Sequence, residues 1–148
     1  MLLEPIMRLE VTLPEENLGV IVAANGTGYA MAQIAYYALA EALGEDPEAL
    51  PYVRRERQIA ALEGIYETYK ATTRYEVRAE GTGMISLTER GRIRTNVNHA
   101  VLESLSDTES VFTLRDGPAT LPITFRRDGD RVSLEHERYL FRKVGKLP

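Results

Sequence analysis

The chain has 148 residues, with 18 Lys and Arg against 22 Asp and Glu, a formal net charge of -4 and no cysteine. The missing cysteine excludes disulfides, thiolate metal sites and thiol nucleophiles together. Hydrophobic residues make up 44%, enough for a core, and no stretch reaches the ~18 uninterrupted apolar residues of a membrane span. Met1-Leu2-Leu3-Glu4-Pro5 has neither a basic start nor a long apolar run, so no signal peptide is read there. A cytoplasmic protein with no membrane partner is expected.

Charge divides unevenly. Residues 1–52 hold one base, Arg8, against eight acids, whereas residues 53–148 hold 17 bases against 14 acids. The break falls beside Pro47 and Pro51, where helix signals also stop. We therefore expect a β-hairpin plus helix unit over 1–46, a linker with a short helix over 47–63, and a β-domain over 64–148. Acids and bases interleave in that last part, which argues against a nucleic-acid partner.

Taken in chain order, Ile6 to Leu13 alternates, with Leu9, Val11 and Leu13 on one face, and Pro14 ends the run. Pro14-Glu15-Glu16-Asn17 is turn chemistry, and Leu18 to Ala24 reads as a second strand of an antiparallel hairpin. Asn25-Gly26-Thr27-Gly28 breaks the chain, with Thr27 placed to cap the next helix. That helix is predicted from Tyr29 to Leu43, with six alanines; it is apolar nearly all round and is stopped by Gly44. Two strands cannot cover such a helix. Met31, Ile34, Tyr37 and Leu39 are accordingly candidates for self-association, and a homo-oligomer is expected.

Arg54 to Leu62 predicts a short amphipathic helix. Beyond it come short β runs: Gly64–Lys70, Thr73–Glu80, Met84–Glu89, Arg92–Asn96, Ala100–Leu105, Ser110–Arg115, Thr120–Arg126 and Val132–Lys143. Glu80-Gly81-Thr82-Gly83, Arg90-Gly91, Asp116-Gly117-Pro118 and Asp128-Gly129-Asp130 separate several of them as turn signals. The expected fold class is α+β, mainly β: a hairpin and apolar helix, then an up-and-down antiparallel barrel of about eight strands.

Chemistry-bearing motifs are sparse. The glycine loop at 25–28 follows a strand and precedes a helix, but Met31 stands where a dinucleotide fingerprint needs Gly or Ala, and no P-loop Lys is present. An ordinary strand-to-helix turn is the reading. His99 and His136 are the only imidazoles and lie far apart, so no metal site and no cofactor is expected. Ser86, Ser104, Ser106, Ser110 and Ser133 include no Ser-x-x-Lys and no Gly-x-Ser-x-Gly, so no hydrolytic centre is expected and the chain is read as non-enzymatic. Tyr66, Tyr75, Phe112, Phe125 and Tyr139 are candidates for lining a cavity, which would make the barrel a carrier of a small apolar ligand. Aromatic filling of the barrel core is the commoner use of such residues.

Two segments resemble a known family. Pro14 to Gly26 with the alanine-rich helix resembles the last strand pair and closing helix of the β-lactamase-related, CubicO-type serine hydrolases. Leu62-Glu63-Gly64-Ile65-Tyr66-Glu67 resembles the opening strand of the lipocalin-like barrel that follows in many members, and Phe125 to Asp130 and Tyr139 to Val144 resemble its closing strands. That family's catalytic Ser-x-x-Lys and Tyr motifs have no counterpart here. The likeness implies a non-catalytic C-terminal module acting in self-association or in access to an active site. Separately, Leu2 to Val11 with Pro14-Glu15-Glu16 is similar to the start of the C-terminal domain of translation elongation factor G.

Overall fold

The structure is a computed structural model that describes residues 7–81, 83–90 and 94–148. The expected contributions of Leu2 to Ile6, Thr82 and Gly91 to Ile93 lie outside the described residues. The chain divides into two compact units, Met1–Arg54 and Arg55–Pro148.

In the first unit β1 (Met7–Leu13) and β2 (Leu18–Ala24) form a two-stranded antiparallel sheet, pairing Leu9 with Val22, Val11 with Val20 and Leu13 with Leu18. Because side chains alternate across a strand, these pairs share one face and Arg8, Glu10, Thr12 and Ile21 share the other. A 3-10 turn at Pro14–Glu16 joins the strands, and Asn17 completes it in the left-handed region at φ 57°, a conformation Asn tolerates better than most residues. α1 (Met31–Leu43) comes next. Its cap residue is Ala30, with no side-chain hydrogen bond, so Thr27 does not cap the helix. The loop runs on beyond its expected end, with Gly28 at φ 90°, and that carries Thr27 clear of the first helical N–H groups. Gly44 ends α1 in the left-handed region at φ 73°, and its N–H donates to the carbonyls of Ala40 and Glu41. Asp46 then accepts from the Glu48 N–H at 3.0 Å to start a second 3-10 turn at Pro47–Ala49.

α2 (Pro51–Ala60) leads into the second unit. There eight strands close a barrel in the order β10-β3-β4-β5-β6-β7-β8-β9, every neighbour antiparallel. They are β3 (Gly64–Thr68), β4 (Arg74–Glu80), β5 (Met84–Arg90), β6 (Thr95–Leu105), β7 (Glu109–Asp116), β8 (Ala119–Asp128), β9 (Arg131–His136) and β10 (Tyr139–Gly145). The fold class is thus the expected one, an eight-stranded antiparallel barrel preceded by a hairpin and an apolar helix.

Two expected boundaries move. Thr95 and Asn96 of the first run and the whole run at 100–105 belong to one strand, β6, since its ladder to β5 continues through Asn96, Asn98 and His99. Cross-strand pairing carries these polar residues where local propensity reads a break. Conversely, Val132–Lys143 divides into β9 and β10 around Glu137, which sits at φ 53°. That hairpin turn uses no Gly, Asn or Pro, so it leaves no local signature.

The barrel core gathers Tyr66, Val77, Ile85, Phe112, Ile123, Phe125, Leu134 and Phe141, each at most 1% exposed, together with Ile59 near the end of α2 and Leu62 just after it. Lys143 Nζ donates to the Ala61 carbonyl at 2.8 Å, and Gln58 donates to Asp107 at 3.1 Å, so the helix end is fixed at the rim where β3 begins. Gly64 holds that junction. It lies at φ 153°, and a Cβ there would come 2.7 Å from the Gly145 carbonyl, across the bulge in β10. Only glycine allows the strands to approach so closely.

Candidate self-association surface

The five cavity candidates do not form one group. Tyr66, Phe112 and Phe125 meet inside the barrel, with Tyr66 and Phe112 each set edge-on to Phe125 at centroid distances of 5.6 and 5.7 Å. Such edge-to-face contacts add to the burial of the rings themselves. Tyr66 keeps its hydroxyl satisfied by donating to the Leu62 carbonyl at 2.6 Å, and burial pushes its ionisation well above the ordinary tyrosine range. Tyr75 stands nearer one end of the barrel, 4.8 Å from the Phe141 ring and 3.5 Å from His136 Nδ1. Its ionisation is also raised, first by burial and then by Glu89 and Glu137. Tyr139 is 49% exposed and does not join the others; its ring lies 5.5 Å from the Arg138 guanidinium. Tyr66, Phe112 and Phe125 therefore occupy the barrel centre with their own rings.

His99 Nδ1 sits 3.0 Å from Glu80, while His136 packs against Tyr75, so the two imidazoles have separate surroundings. Among the described residues no three His, Asp or Glu side chains are grouped to hold a metal ion. Ser106 both donates to and accepts from the Glu109 backbone at 3.0 Å, which fixes the β6–β7 turn. Ser86 and Ser110 are buried.

The helix candidates separate by face. Leu39 is buried with Ala35 and Ala40, and Met31 is half-buried. Ile34 and Tyr37, three residues apart and so on one side of α1, are 50% and 37% exposed. Tyr37 also donates to Glu48 at 3.2 Å. The sequence reading missed a second exposed side formed by Tyr36 and Leu43, at 51% and 40%. These residues line a groove of about 380 Å³ with Val11, Leu13, Leu39 and Leu50, rimmed by Glu45 and Asp46. The signal for it was present in the all-round apolar pattern of α1, which a single hairpin cannot cover. No residue of either hairpin strand is fully buried. Among the described residues no helix is long and apolar enough to cross a membrane.

The structure thus joins a closed antiparallel barrel to a hairpin–helix unit that exposes Ile34, Tyr36, Tyr37 and Leu43. The chain belongs to the family described as the Pab87 octamerisation domain, which matches residues 47–142. Among solved structures it is similar to the octameric penicillin-binding protein homologue from Pyrococcus abyssi, with 32% identity and a TM-score of 0.76. That match covers 93% of this chain and 31% of the other, so the chain spans about a third of the length of its solved relative. No curated protein matches it.

Proposed function

We propose that this chain is a non-catalytic self-association module of a serine hydrolase related to the penicillin-binding proteins, and that it assembles into a closed octamer. The observation that carries the reading is membership of an octamerisation-domain family across the barrel. The solved relative is itself an octameric penicillin-binding protein homologue, which supports the same reading. So does the exposed apolar helix of the first unit, because such a surface is stabilised when a second protein surface covers it. The lack of Ser-x-x-Lys in the sequence supports a module that does no hydrolysis itself. The finer placement, as the lipocalin-like C-terminal part of a CubicO-type enzyme that shapes access to its active site, rests on the residue likenesses at 14–26, 62–67, 125–130 and 139–144. The elongation-factor likeness has no part in the proposal.

Size-exclusion chromatography with light scattering, run over a hundredfold range of concentration, tests it. The expected particle has a mass of about 133 kDa, eight copies of the 16.6 kDa chain, and holds it on dilution. A 16.6 kDa species at every concentration would overturn the reading.

A further inference from the structure

Two surfaces complement each other in both polarity and charge. The groove of the first unit has an apolar floor, Val11, Leu13, Tyr36 and Leu43, and an acidic rim, Glu45 and Asp46. It sits in the part of the chain where acids outnumber bases by eight to two, residues 1–54. The outer face of β10 presents the reverse arrangement. Leu140 and Val144 are 50% and 57% exposed, with Arg142 between them on the same side of the strand. Beside them stand the exposed Tyr69 and Lys70, whose ammonium lies 5.5 Å from the Tyr69 ring, and Arg142, Lys70 and Glu67 line one shared surface depression, where the bases outnumber the acid. An apolar centre with a net basic border thus faces solvent on the barrel.

We infer that the β10 face of one copy docks in the Glu45-rimmed groove of a second copy. This inference rests on the self-association reading and specifies the contact through which it acts. Charge complementarity selects the occupant. Two grooves placed together would set acid against acid, and two β10 faces would set Arg142 and Lys70 against their own kind. Groove against β10 face places carboxylates beside guanidinium and ammonium groups while covering Leu43 with Leu140 or Val144. Since the two surfaces differ, the contact is heterologous, and repeating it head to tail closes a ring when the rotation permits.

A charge swap between molecules tests the contact. Glu45→Arg and Arg142→Glu, both at exposed positions, should each lower the assembled mass and raise the dissociation concentration on the order of a hundredfold, because each sets like charges together. Mixing the two variants should restore the assembly. In a ring that alternates them, position 45 of each Glu45→Arg copy carries a base and meets the acid at position 142 of an Arg142→Glu copy. The unaltered Glu45 of the latter meets the unaltered Arg142 of the former, so every 45–142 contact joins opposite charges. Circular dichroism of each variant establishes that it is folded. Recovery on mixing is the supporting result, and it requires docking between copies. If the parent chain assembles but both variants retain its mass, or if the mixture stays dissociated, this docking is wrong while the self-association reading stands. A parent chain that never assembles overturns both.

Discussion

The barrel and the hairpin–helix unit are built from the same local material and end in different states. Both rest on antiparallel strands with alternating side chains, interrupted in the barrel by register shifts in β6 and β10. In the barrel the sheet closes on itself, so each inward row meets another across the centre, and Phe112, Ile123 and Leu134 reach 0% exposure. In the hairpin α1 packs on the inward row. Leu9, Val11 and Val20 stay half-buried, and α1 leaves Ile34, Tyr36, Tyr37 and Leu43 in solvent. Alternation states which face requires burial. Whether burial is achieved depends on how many further elements pack on that face, and a lone two-stranded sheet has few.

Three substitutions break or sharpen this contrast. The largest effect belongs to Phe125→Ala, which removes a ring held between Tyr66 and Phe112. A cost of about 3–5 kcal/mol is expected from the lost burial and the cavity left behind. Urea unfolding followed by circular dichroism measures it, and an unchanged midpoint would mean that Phe125 does not hold the barrel.

A smaller effect is expected from Tyr66→Phe, which leaves the Leu62 carbonyl without its buried donor and costs about 1 kcal/mol at neutral pH. The same hydroxyl gives the barrel a pH dependence of known sign. Burial raises its ionisation in the folded state, against a smaller opposing pull from Arg127, while an unfolded tyrosine ionises near pH ~10. Its contribution is complete below that value and is lost as pH rises above it, because the unfolded chain then releases a proton the folded chain retains. Urea midpoints taken from pH 8 to 11 should fall more steeply for the parent chain than for Tyr66→Phe. Parallel curves would assign the alkaline loss to other groups, Tyr75 among them.

The smallest effect on stability is expected at Ile34, whose side chain is half exposed. Ile34→Glu should move the unfolding free energy by no more than about 0.5 kcal/mol, while light scattering registers a shift toward lighter species or aggregate. A loss comparable to that of Phe125→Ala would show that this side of α1 is buried after all.

The legibility of the chain follows the same division. The barrel strands could be read because Gly and Asp mark several of their turns, as at Gly117 and Gly129, which sit at φ 58° and 57°. Where a turn is made from Glu137 instead, the boundary between β9 and β10 was invisible. Where Asn96, Asn98 and His99 sit inside a continuous ladder, one strand looked like two. The candidate surface was legible in outline, since an all-round apolar helix announces uncovered area. Which of its residues remain uncovered was not legible, and neither Tyr36 nor the groove at Glu45 has a local signature. The complementary face on β10 was equally hidden, because Leu140 and Val144 become neighbours of Tyr69 only when β10 pairs with β3 and closes the barrel.

By itself the sequence determined the classes of element, their order and the charge division, since periodicity, turn residues and composition are local properties of the chain. It also determined the absence of thiol chemistry and of the hydrolase motifs, which depend only on residue type and spacing. The tertiary structure alone decided that Tyr66, Phe112 and Phe125 pack on one another while Tyr139 stands apart, that Leu39 turns inward while Ile34 turns out, and that Gly64 must lie against Gly145. Each of these is a relation between residues distant in sequence or on opposite sides of one helix. It is fixed by where sheet closure and helix packing place each side chain, and no local pattern encodes that.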